Sequence, residues 1–261
     1  MNTTLSADGT RIAYDRSGSG PPIIMVVGAF NDRSTTAPLA EALESHLTVL
    51  NYDRRGRGDS GDTAPYSVER EIEDLDALIA EAGGSAAVFG YSSGAVLALQ
   101  AAAHGLAIGT LVVYEPPFLI DDSRPRPPAD LAHQVAALVS ADRRGEAVEL
   151  YQTKGVGLPE EVVVGLRTAP FRPGLEAIAH TLVYDATITG DLTLPTEMIA
   201  SVSTPTLVIT GADSPPFLQT GSRAAADALP NGRLHTLADE THHINPEATA
   251  PVVEAFLSGS R

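Results

Sequence analysis

A short segment in the first half of the chain has the spacing that a nucleophilic serine requires. Gly90-Tyr91-Ser92-Ser93-Gly94 reads G-x-S-x-G. A serine held on a sharp turn between a strand and a helix needs very small neighbours two residues away, because the backbones pass closely there. Such a turn also directs the amide of the following residue, Ser93, to where it can stabilise an oxyanion. The segment therefore predicts acyl transfer through Ser92.

Two alternatives to this interpretation concern the same segment. Ser93 is a second candidate nucleophile, but it lacks the pair of flanking glycines that Ser92 has. A glycine-rich helix start that serves packing alone is the other alternative. The predicted neighbours favour the catalytic interpretation, because strand Ala86–Gly90 precedes the serine and the alanine-rich helix Ser93–Ala103 follows it.

The rest of the chain alternates short apolar segments with helical ones, which predicts a mostly parallel sheet flanked by helices. A hairpin within Leu5–Asp15 opens the chain, with turn residues at Asp8-Gly9. The other predicted strands are Ile23–Val27, Leu47–Asp53, Ala86–Gly90, Thr110–Tyr114, Thr206–Thr210 and Leu234–Leu237. The predicted helices of this α/β part are Thr36–Ser45, Ser67–Ala82, Ser93–Ala103, Thr220–Leu229 and Pro246–Leu257.

The pattern changes between Pro116 and about Pro195, where strand-like segments are scarce. Two to four helices can be drawn there, within Asp130–Ser140, Gly145–Lys154, Glu160–Arg167 and Leu175–Thr187. A helical insertion in such a sheet is typical of a lid, because ligands bind at the carboxyl ends of the strands. We therefore predict an α/β core of residues 1–116 and 196–261 and a helical cap of residues 117–195.

Composition limits the partners and the chemistry. The 261 residues include 33 acidic and 17 basic side chains, so the formal charge is −16, which disfavours nucleic acids and anionic membranes. Cysteine is absent, which excludes disulfides, thiolate metal sites and a cysteine nucleophile. No apolar run approaches the ~20 residues that span a bilayer, and Met1 to Thr4 do not resemble the start of a signal peptide. We therefore expect a cytoplasmic protein.

Taken together, these features resemble the α/β-hydrolase fold over nearly the whole chain. The residues that carry the resemblance are Asp8-Gly9-Thr10 with Tyr14, the segment Asn51-Tyr52-Asp53-Arg54-Arg55-Gly56-Arg57-Gly58-Asp59-Ser60, the Ser92 turn and the late His242. The resemblance implies a mostly parallel central sheet flanked by helices, a helical cap, and catalytic residues in the chain order serine, acid, histidine.

The resemblance places the catalytic base in the loop Asp239–Ile244, between the last strand and the last helix. His242 matches the family pattern better than its neighbour His243, which remains the alternative. The other five histidines lie on predicted helices or in a strand; they are His46, His104, His133, His180 and His235.

Two positions compete for the acid. Asp213 follows the strand Thr206–Thr210, which is the commoner family location, although it lies one residue closer to Gly211 than is usual. Glu115 follows the preceding strand, where haloalkane dehalogenases and pancreatic-type lipases are similar in placing theirs. Each also has a structural interpretation, Asp213 as a turn residue and Glu115 as a tie for the strand end. Both stay open.

The family also implies a second oxyanion donor in the turn after Ile23–Val27. Matching by residue gives the amide of Ala29, with Phe30 as second choice, alongside the amide of Ser93. Most relatives have His-Gly at the start of this turn, whereas this chain has Val27-Gly28. The missing histidine weakens the resemblance without removing the donor.

A serine in the turn at position 92 implies hydrolysis of an ester or lactone through an acyl-enzyme, without a metal or cofactor. The adjacent His242 and His243 do not lie on one helical face as metal ligands would. The expected partner is a small-to-medium hydrophobic substrate, and the chain is expected to be a monomer or homodimer. Cap residues that could line the site, although core packing suits most of them, are Pro117-Phe118, Leu175, Ile178, Leu182, Tyr184, Ile188 and Met198.

Two other functions remain open at this point. One is a different cofactor-free activity of the fold: a thioesterase or cyclase, a C–C hydrolase or a perhydrolase. The other is a ligand-binding member without catalysis. Formation of an acyl-enzyme at Ser92, and the nucleophile that resolves it, would distinguish them.

Overall fold

The computed structural model describes residues 1–259, and these contain one eight-stranded sheet. The strands are β1 (Asn2–Leu5), β2 (Arg11–Ser17), β3 (Pro22–Val26), β4 (Thr48–Tyr52), β5 (Ala86–Tyr91), β6 (Ile108–Tyr114), β7 (Thr206–Gly211) and β8 (Gly232–Leu237). They lie in the order β1-β2-β4-β3-β5-β6-β7-β8. The β1–β2 and β2–β4 pairs are antiparallel, and all other pairs are parallel. The predicted sheet and its opening hairpin are confirmed.

Helices cover both faces of the sheet and fill the segment between β6 and β7. They are α1 (Ala37–Leu43), α2 (Val68–Glu81), α3 (Ser93–Ala103), α4 (Leu131–Ser140), α5 (Arg144–Leu150), α6 (Glu160–Gly165), α7 (Arg172–Ala177), α8 (Leu182–Thr189), α9 (Thr196–Ser201), α10 (Pro216–Ala228) and α11 (Pro246–Gly259). The predicted core segment 196–261 ends in Ser260 and Arg261, which lie outside the described residues. Among residues 1–259 there is no helix with the length and apolar character needed to cross a membrane.

The central strands are buried on both faces, which explains their uninterrupted apolar runs. Along β3, Ile24 and Val26 face the cluster formed with α2, α3 and α10, whereas Ile23 and Met25 face the cluster formed with α1 and α11. This alternation is the two-residue period of a strand with a core on each side. It fixes the carboxyl ends of β3, β5, β6 and β7 at the edge where the candidate site lies.

The segment between β6 and β7 is entirely helical apart from its connections, and its own apolar cluster links α4, α5 and α8. Two predicted helices are broken. The predicted Gly145–Lys154 ends as α5 at Leu150 and continues as the wide π-helical turn Tyr151–Val156. The predicted Leu175–Thr187 is divided by a tight turn, in which the Thr181 hydroxyl donates to the Ile178 carbonyl at 2.8 Å.

Two further differences concern helices α9 and α10. Helix α9 was not predicted, because its six residues are too few for a clear helical period. Helix α10 begins at Pro216 and not at the predicted Thr220. Proline is well suited to the first turn of a helix, where its missing N–H has no partner to lose.

Candidate active site

The turn between β5 and α3 holds Ser92 in a strained conformation that the sequence pattern predicted. Its φ of 55° and ψ of −122° are rare for a residue with a side chain, and its amide donates to the Tyr114 carbonyl at 2.9 Å. The flanking glycines are required sterically. A Cβ at Gly90 would lie 2.7 Å from the Ala95 Cα, and one at Gly94 would lie 2.5 Å from the Val27 carbonyl oxygen.

His242 connects this serine to a buried carboxylate. Its Nε2 lies 3.2 Å from Ser92 Oγ, and its Nδ1 lies 2.6 Å from Glu115 Oε2. A carboxylate only accepts hydrogen bonds, so Nδ1 carries the proton in the neutral ring and Nε2 is left as an acceptor for the serine hydroxyl. The three side chains thus form one continuous hydrogen-bonded chain.

Glu115 follows β6 directly and is fully buried, with a left-handed φ of 47°. The Thr210 hydroxyl and the Gly211 amide each donate to its Oε1 at 2.8 Å, while His242 occupies Oε2. Burial raises the pKa of the Glu115 carboxyl, but the hydrogen bonds from His242 and Gly211 more than offset this and hold the pKa below its usual value. Glu115 is therefore ionised at neutral pH.

The structure does not bring Asp213 to the histidine. Its side chain is exposed on the turn after β7, and its amide donates to the Glu240 carbonyl at 2.8 Å. Within residues 1–259 its carboxylate makes no hydrogen bond or ion pair. Of the two candidate acids, Glu115 and not Asp213 therefore contacts His242, because the Asp213 side chain is exposed on the turn after β7 while Glu115 at the end of β6 is hydrogen-bonded to the imidazole.

Two tyrosines of the sheet hold the loop that carries His242. The Tyr114 hydroxyl donates to the Thr241 carbonyl at 2.7 Å, and the Tyr91 ring lies 5.0 Å from the imidazole ring. His243, the alternative base, is exposed beside it. Of the two histidines, only His242 contacts both Ser92 and Glu115.

The residues predicted as oxyanion donors come together beside Ser92. Ala29 and Ser93 line the same cavity as Ser92 and His242. Phe30, the second choice after Ala29, does not line it. Its backbone has a φ of 64°, and its ring packs edge-on against Tyr151 with centroids 5.5 Å apart.

A buried network that the sequence analysis missed contacts both segments that carry the predicted oxyanion donors. Asp185 of α8 accepts from Arg54 at 2.8 Å, from Arg57 at 2.6 Å and from the Ser93 hydroxyl at 2.7 Å. Arg57 also donates to the Gly28 carbonyl at 2.5 Å. Asp185 and both arginines are completely buried. The sequence contained one indication of this network, because Asp185 is an acidic residue among apolar ones in a predicted helix. Its partners are far away in the chain, so the pattern did not identify them.

These groups open into a cavity of about 440 Å³ between the sheet edge and the helical segment. Its lining consists of Ala29, Ser92, Ser93, Pro117, Arg124, Tyr151, Gly155, Val156, Gly157, Leu158, Pro159, Thr189, Leu192, Pro215, Phe217, Leu218 and His242. Of the apolar residues that the sequence suggested for a lining, Pro117 is part of it. Phe118, Ile188 and Leu182 pack in the interior clusters instead.

Among residues 1–259, no group of three or more histidine, aspartate or glutamate side chains is placed to hold a metal ion.

Comparison with known proteins identifies the family of this chain. The profile of the alpha/beta hydrolase family matches residues 23–255. The chain is 54% identical to an alpha/beta hydrolase from Sphaerobacter thermophilus DSM 20745, whose crystal structure superimposes with a TM-score of 0.92 over 98% of this chain and 100% of that one.

Two other similarities are weaker. Over 120 residues, which are 44% of each chain, the sequence is 36% identical to the hydrolase YraK of Bacillus subtilis. A thermophilic esterase from Thermogutta terrifontis shares the fold, with a TM-score of 0.75 and 21% identity over 99% of this chain and 98% of that one. The family match and the Sphaerobacter relative show that this chain belongs to the alpha/beta hydrolase family of enzymes.

Proposed function

We propose that this hydrolase cleaves carboxylic esters or lactones through an acyl-enzyme on Ser92, with His242 as general base and Glu115 as the acid. The observation that carries the proposal is the hydrogen-bonded chain from Ser92 Oγ to His242 Nε2 at 3.2 Å and from His242 Nδ1 to Glu115 Oε2 at 2.6 Å. This arrangement matches the requirements of a serine nucleophile, a base in reach of it and a carboxylate that orients the base.

The proposed reaction has two halves. The Ser92 oxygen attacks the carbonyl carbon while its proton passes to His242 Nε2, and the imidazolium then gives that proton to the leaving alkoxide, which departs as an alcohol. Water repeats the sequence in the second half. Its proton passes to Nε2, its oxygen attacks the acyl carbon, and Ser92 recovers the proton as the carboxylic acid leaves. Glu115 stays ionised and stabilises the imidazolium throughout.

The oxyanion formed in each half needs donors that are already in place. We assign this role to the amides of Ser93 and Ala29, and keep Phe30 as the alternative to Ala29. Support comes from the position of Ser93 at the start of α3, where helix amides are free to donate, and from the Asp185 network, which holds Ser93 and the Gly28 carbonyl in place.

The cavity favours a small or medium substrate with apolar parts. Its volume of about 440 Å³ and its mostly apolar lining fit a compact ester better than a polymer. The esterase of Thermogutta terrifontis shares the fold, which is compatible with this assignment.

The proposal is tested by the hydrolysis of 4-nitrophenyl esters of increasing acyl length by the parent, Ser92→Ala and the matched control Ser258→Ala. Ser258 is exposed near the end of α11 and does not line the cavity. We expect saturable hydrolysis by the parent and the control. In Ser92→Ala we expect kcat to fall by a factor of at least about 10⁴. A folded parent that releases no nitrophenolate above the background rate from any ester in the series would refute it.

A further inference from the structure

We propose that Arg124 makes the cavity a site for esters or lactones that carry a free carboxylate, so that the natural substrate is an anion and not a neutral ester. This inference rests on the proposed function, since it names the substrate class of the same cavity. Arg124 lies in the connection between β6 and α4 and lines the cavity together with Ser92 and His242.

The guanidinium of Arg124 is held in a fixed position. It donates to the Val156 carbonyl, and to the Gly155 carbonyl at 3.1 Å, and it lies over the Phe217 ring at 5.1 Å from the centroid. Gly157 makes room for it, because a Cβ there would lie 2.6 Å from a terminal nitrogen of Arg124. The π-helical turn Tyr151–Val156 therefore forms one side of a seat for this cation, and wide turns of this kind are frequent at functional sites.

Arg124 is half-buried, and its charge environment differs from that of the buried arginines. Arg54, Arg55, Arg57 and Arg172 each pair with at least one carboxylate. Within residues 1–259, no carboxylate lies within ion-pair distance of Arg124, and the lining of the cavity contains no aspartate or glutamate. Burial consequently lowers the pKa of its guanidinium. A half-buried cation without a counter-ion loses part of its hydration without a compensating charge, and an anionic ligand would supply that charge.

The hydrogen-bonding capacity of Arg124 fits a carboxylate. A guanidinium has five N–H groups, and the two backbone carbonyls engage one hydrogen on each terminal nitrogen. The Nε–H has no partner and one hydrogen on each terminal nitrogen remains, so the guanidinium keeps unpaired donors for the oxygens of a carboxylate. A single guanidinium balances one negative charge. A phosphate dianion would retain uncompensated charge among apolar residues such as Leu158, Leu192 and Phe217.

A purely structural role for Arg124 predicts something different. Its hydrogen bonds and its contact with Phe217 would then serve only to tie the connection after β6 to the π-helical turn. Loss of the guanidinium would lower the activity towards neutral and anionic esters by the same factor. Comparison of two substrates of similar size therefore separates the two roles.

The kinetic test uses mono-(4-nitrophenyl) glutarate, which is an anion, and 4-nitrophenyl pentanoate, which is neutral. The variants are Arg124→Met, Arg124→Lys and the control Arg126→Met, whose guanidinium lies outside the cavity on the Leu119 carbonyl and Thr193 hydroxyl. In Arg124→Met we expect the ratio of kcat/KM for the glutarate ester to kcat/KM for the pentanoate ester to fall about 10- to 100-fold, mainly through the KM of the glutarate ester. Arg124→Lys should restore part of the loss, and Arg126→Met should not discriminate between the esters.

A binding measurement separates this inference from the proposed function. Ser92→Ala is titrated with monomethyl glutarate and with methyl pentanoate by calorimetry, with and without Arg124→Met. We expect the acid to bind more tightly than the neutral ester, and Arg124→Met to abolish the difference. Equal binding of the two compounds, or equal loss of both activities in Arg124→Met, overturns the inference even if esters are cleaved. If Ser92→Ala binds the acid selectively but the parent enzyme cleaves no ester, the anion site is supported and the hydrolase mechanism is refuted.

Discussion

At the scale of single residues, the chemistry depends on how His242 is held. Glu115 engages Nδ1 at 2.6 Å, which leaves Nε2 as the only ring nitrogen that can accept the Ser92 proton. Glu115 itself cannot rotate freely, because Thr210 and Gly211 hold its other oxygen. The carboxylate therefore sets both the tautomer and the orientation of the imidazole.

The choice between the two candidate acids gives a direct prediction. We expect Glu115→Gln to lower kcat by roughly 10³- to 10⁴-fold, since an amide favours the wrong tautomer of His242 and cannot stabilise the imidazolium. Asp213→Asn should change kcat by less than about twofold, because its side chain is exposed and contacts none of these groups. Steady-state hydrolysis of a 4-nitrophenyl ester measures both. A larger loss in Asp213→Asn than in Glu115→Gln would contradict the geometry.

Residues identified by a local pattern were easier to predict than residues identified by contact. Ser92 has its glycines two residues away, and His242 lies in a loop of recognisable position. Glu115 and Asp213 both follow a strand, and chain order alone does not tell which strand end faces the imidazole. Asp185 was missed because its partners Arg54 and Ser93 are 131 and 92 residues away.

At the scale of elements, α8 and the core are joined by Asp185. The carboxylate on this helix accepts from Arg54 and Arg57, which follow β4, and from Ser93, which begins α3. Burial raises the pKa of Asp185, but Arg57 and Arg54 more than offset this, so the pKa is below its usual value. A single side chain thus connects the helical segment, the loop after β4 and the turn that carries Ser92 and Ser93.

Replacement of this carboxylate should be costly. Arg57 has no other acidic partner among residues 1–259, so Asp185→Asn leaves a buried cation unpaired, and we expect a loss of about 3–5 kcal/mol in the free energy of unfolding. The control Asp227→Asn, at an exposed position of α10, should stay within about 0.5 kcal/mol of the parent. Urea denaturation at neutral pH measures both values.

The effect of Asp185 also has a defined pH dependence. Because its folded pKa lies below the unfolded value of 3.8, its contribution is fully present above that pH. It is lost as the pH falls through the folded pKa, so the difference between parent and Asp185→Asn should shrink below a pH of about 4. A difference that is unchanged in acid, or a variant as stable as the parent at neutral pH, would show that the carboxylate does not stabilise the fold by its charge.

A substitution at Gly94 tests how closely the turn around Ser92 packs against the end of β3. In Gly94→Ala the new methyl group would meet the Val26 and Val27 carbonyl oxygens at the end of β3, so we expect a loss of about 1–3 kcal/mol in unfolding free energy together with lower activity. Gly165→Ala is the control, because nothing lies within 4 Å of its Cβ position, and it should be neutral or slightly stabilising. Equal urea midpoints for the two variants would argue against this steric account.

Strands were more predictable than the helices of the insertion. A strand buried on both faces consists of a nearly continuous apolar run, which can be recognised from the sequence alone, as in β3 and β7. The breaks at Tyr151–Val156 and Ala179–Thr181 depend on local hydrogen bonds and on the packing of neighbouring helices, which the helical period does not contain.

At the scale of the whole molecule, the formal charge of −16 should affect the approach of the substrate. An acidic surface repels an anionic ester until the ligand reaches Arg124, and salt screens that repulsion. We therefore expect kcat/KM for mono-(4-nitrophenyl) glutarate to rise with ionic strength between about 10 mM and 150 mM, while the value for 4-nitrophenyl pentanoate stays nearly constant. A parallel response of the two esters would show that the net charge has no influence on substrate approach.

The most direct test of the account is covalent labelling with a fluorophosphonate, read by intact mass on the parent, Ser92→Ala, His242→Ala, Glu115→Gln and Asp213→Asn. We expect one adduct per chain in the parent, none in Ser92→Ala, and slow labelling in His242→Ala and Glu115→Gln, with Asp213→Asn equal to the parent. A folded parent without an adduct, or an adduct that persists in Ser92→Ala, would contradict the assignment of Ser92 as the nucleophile.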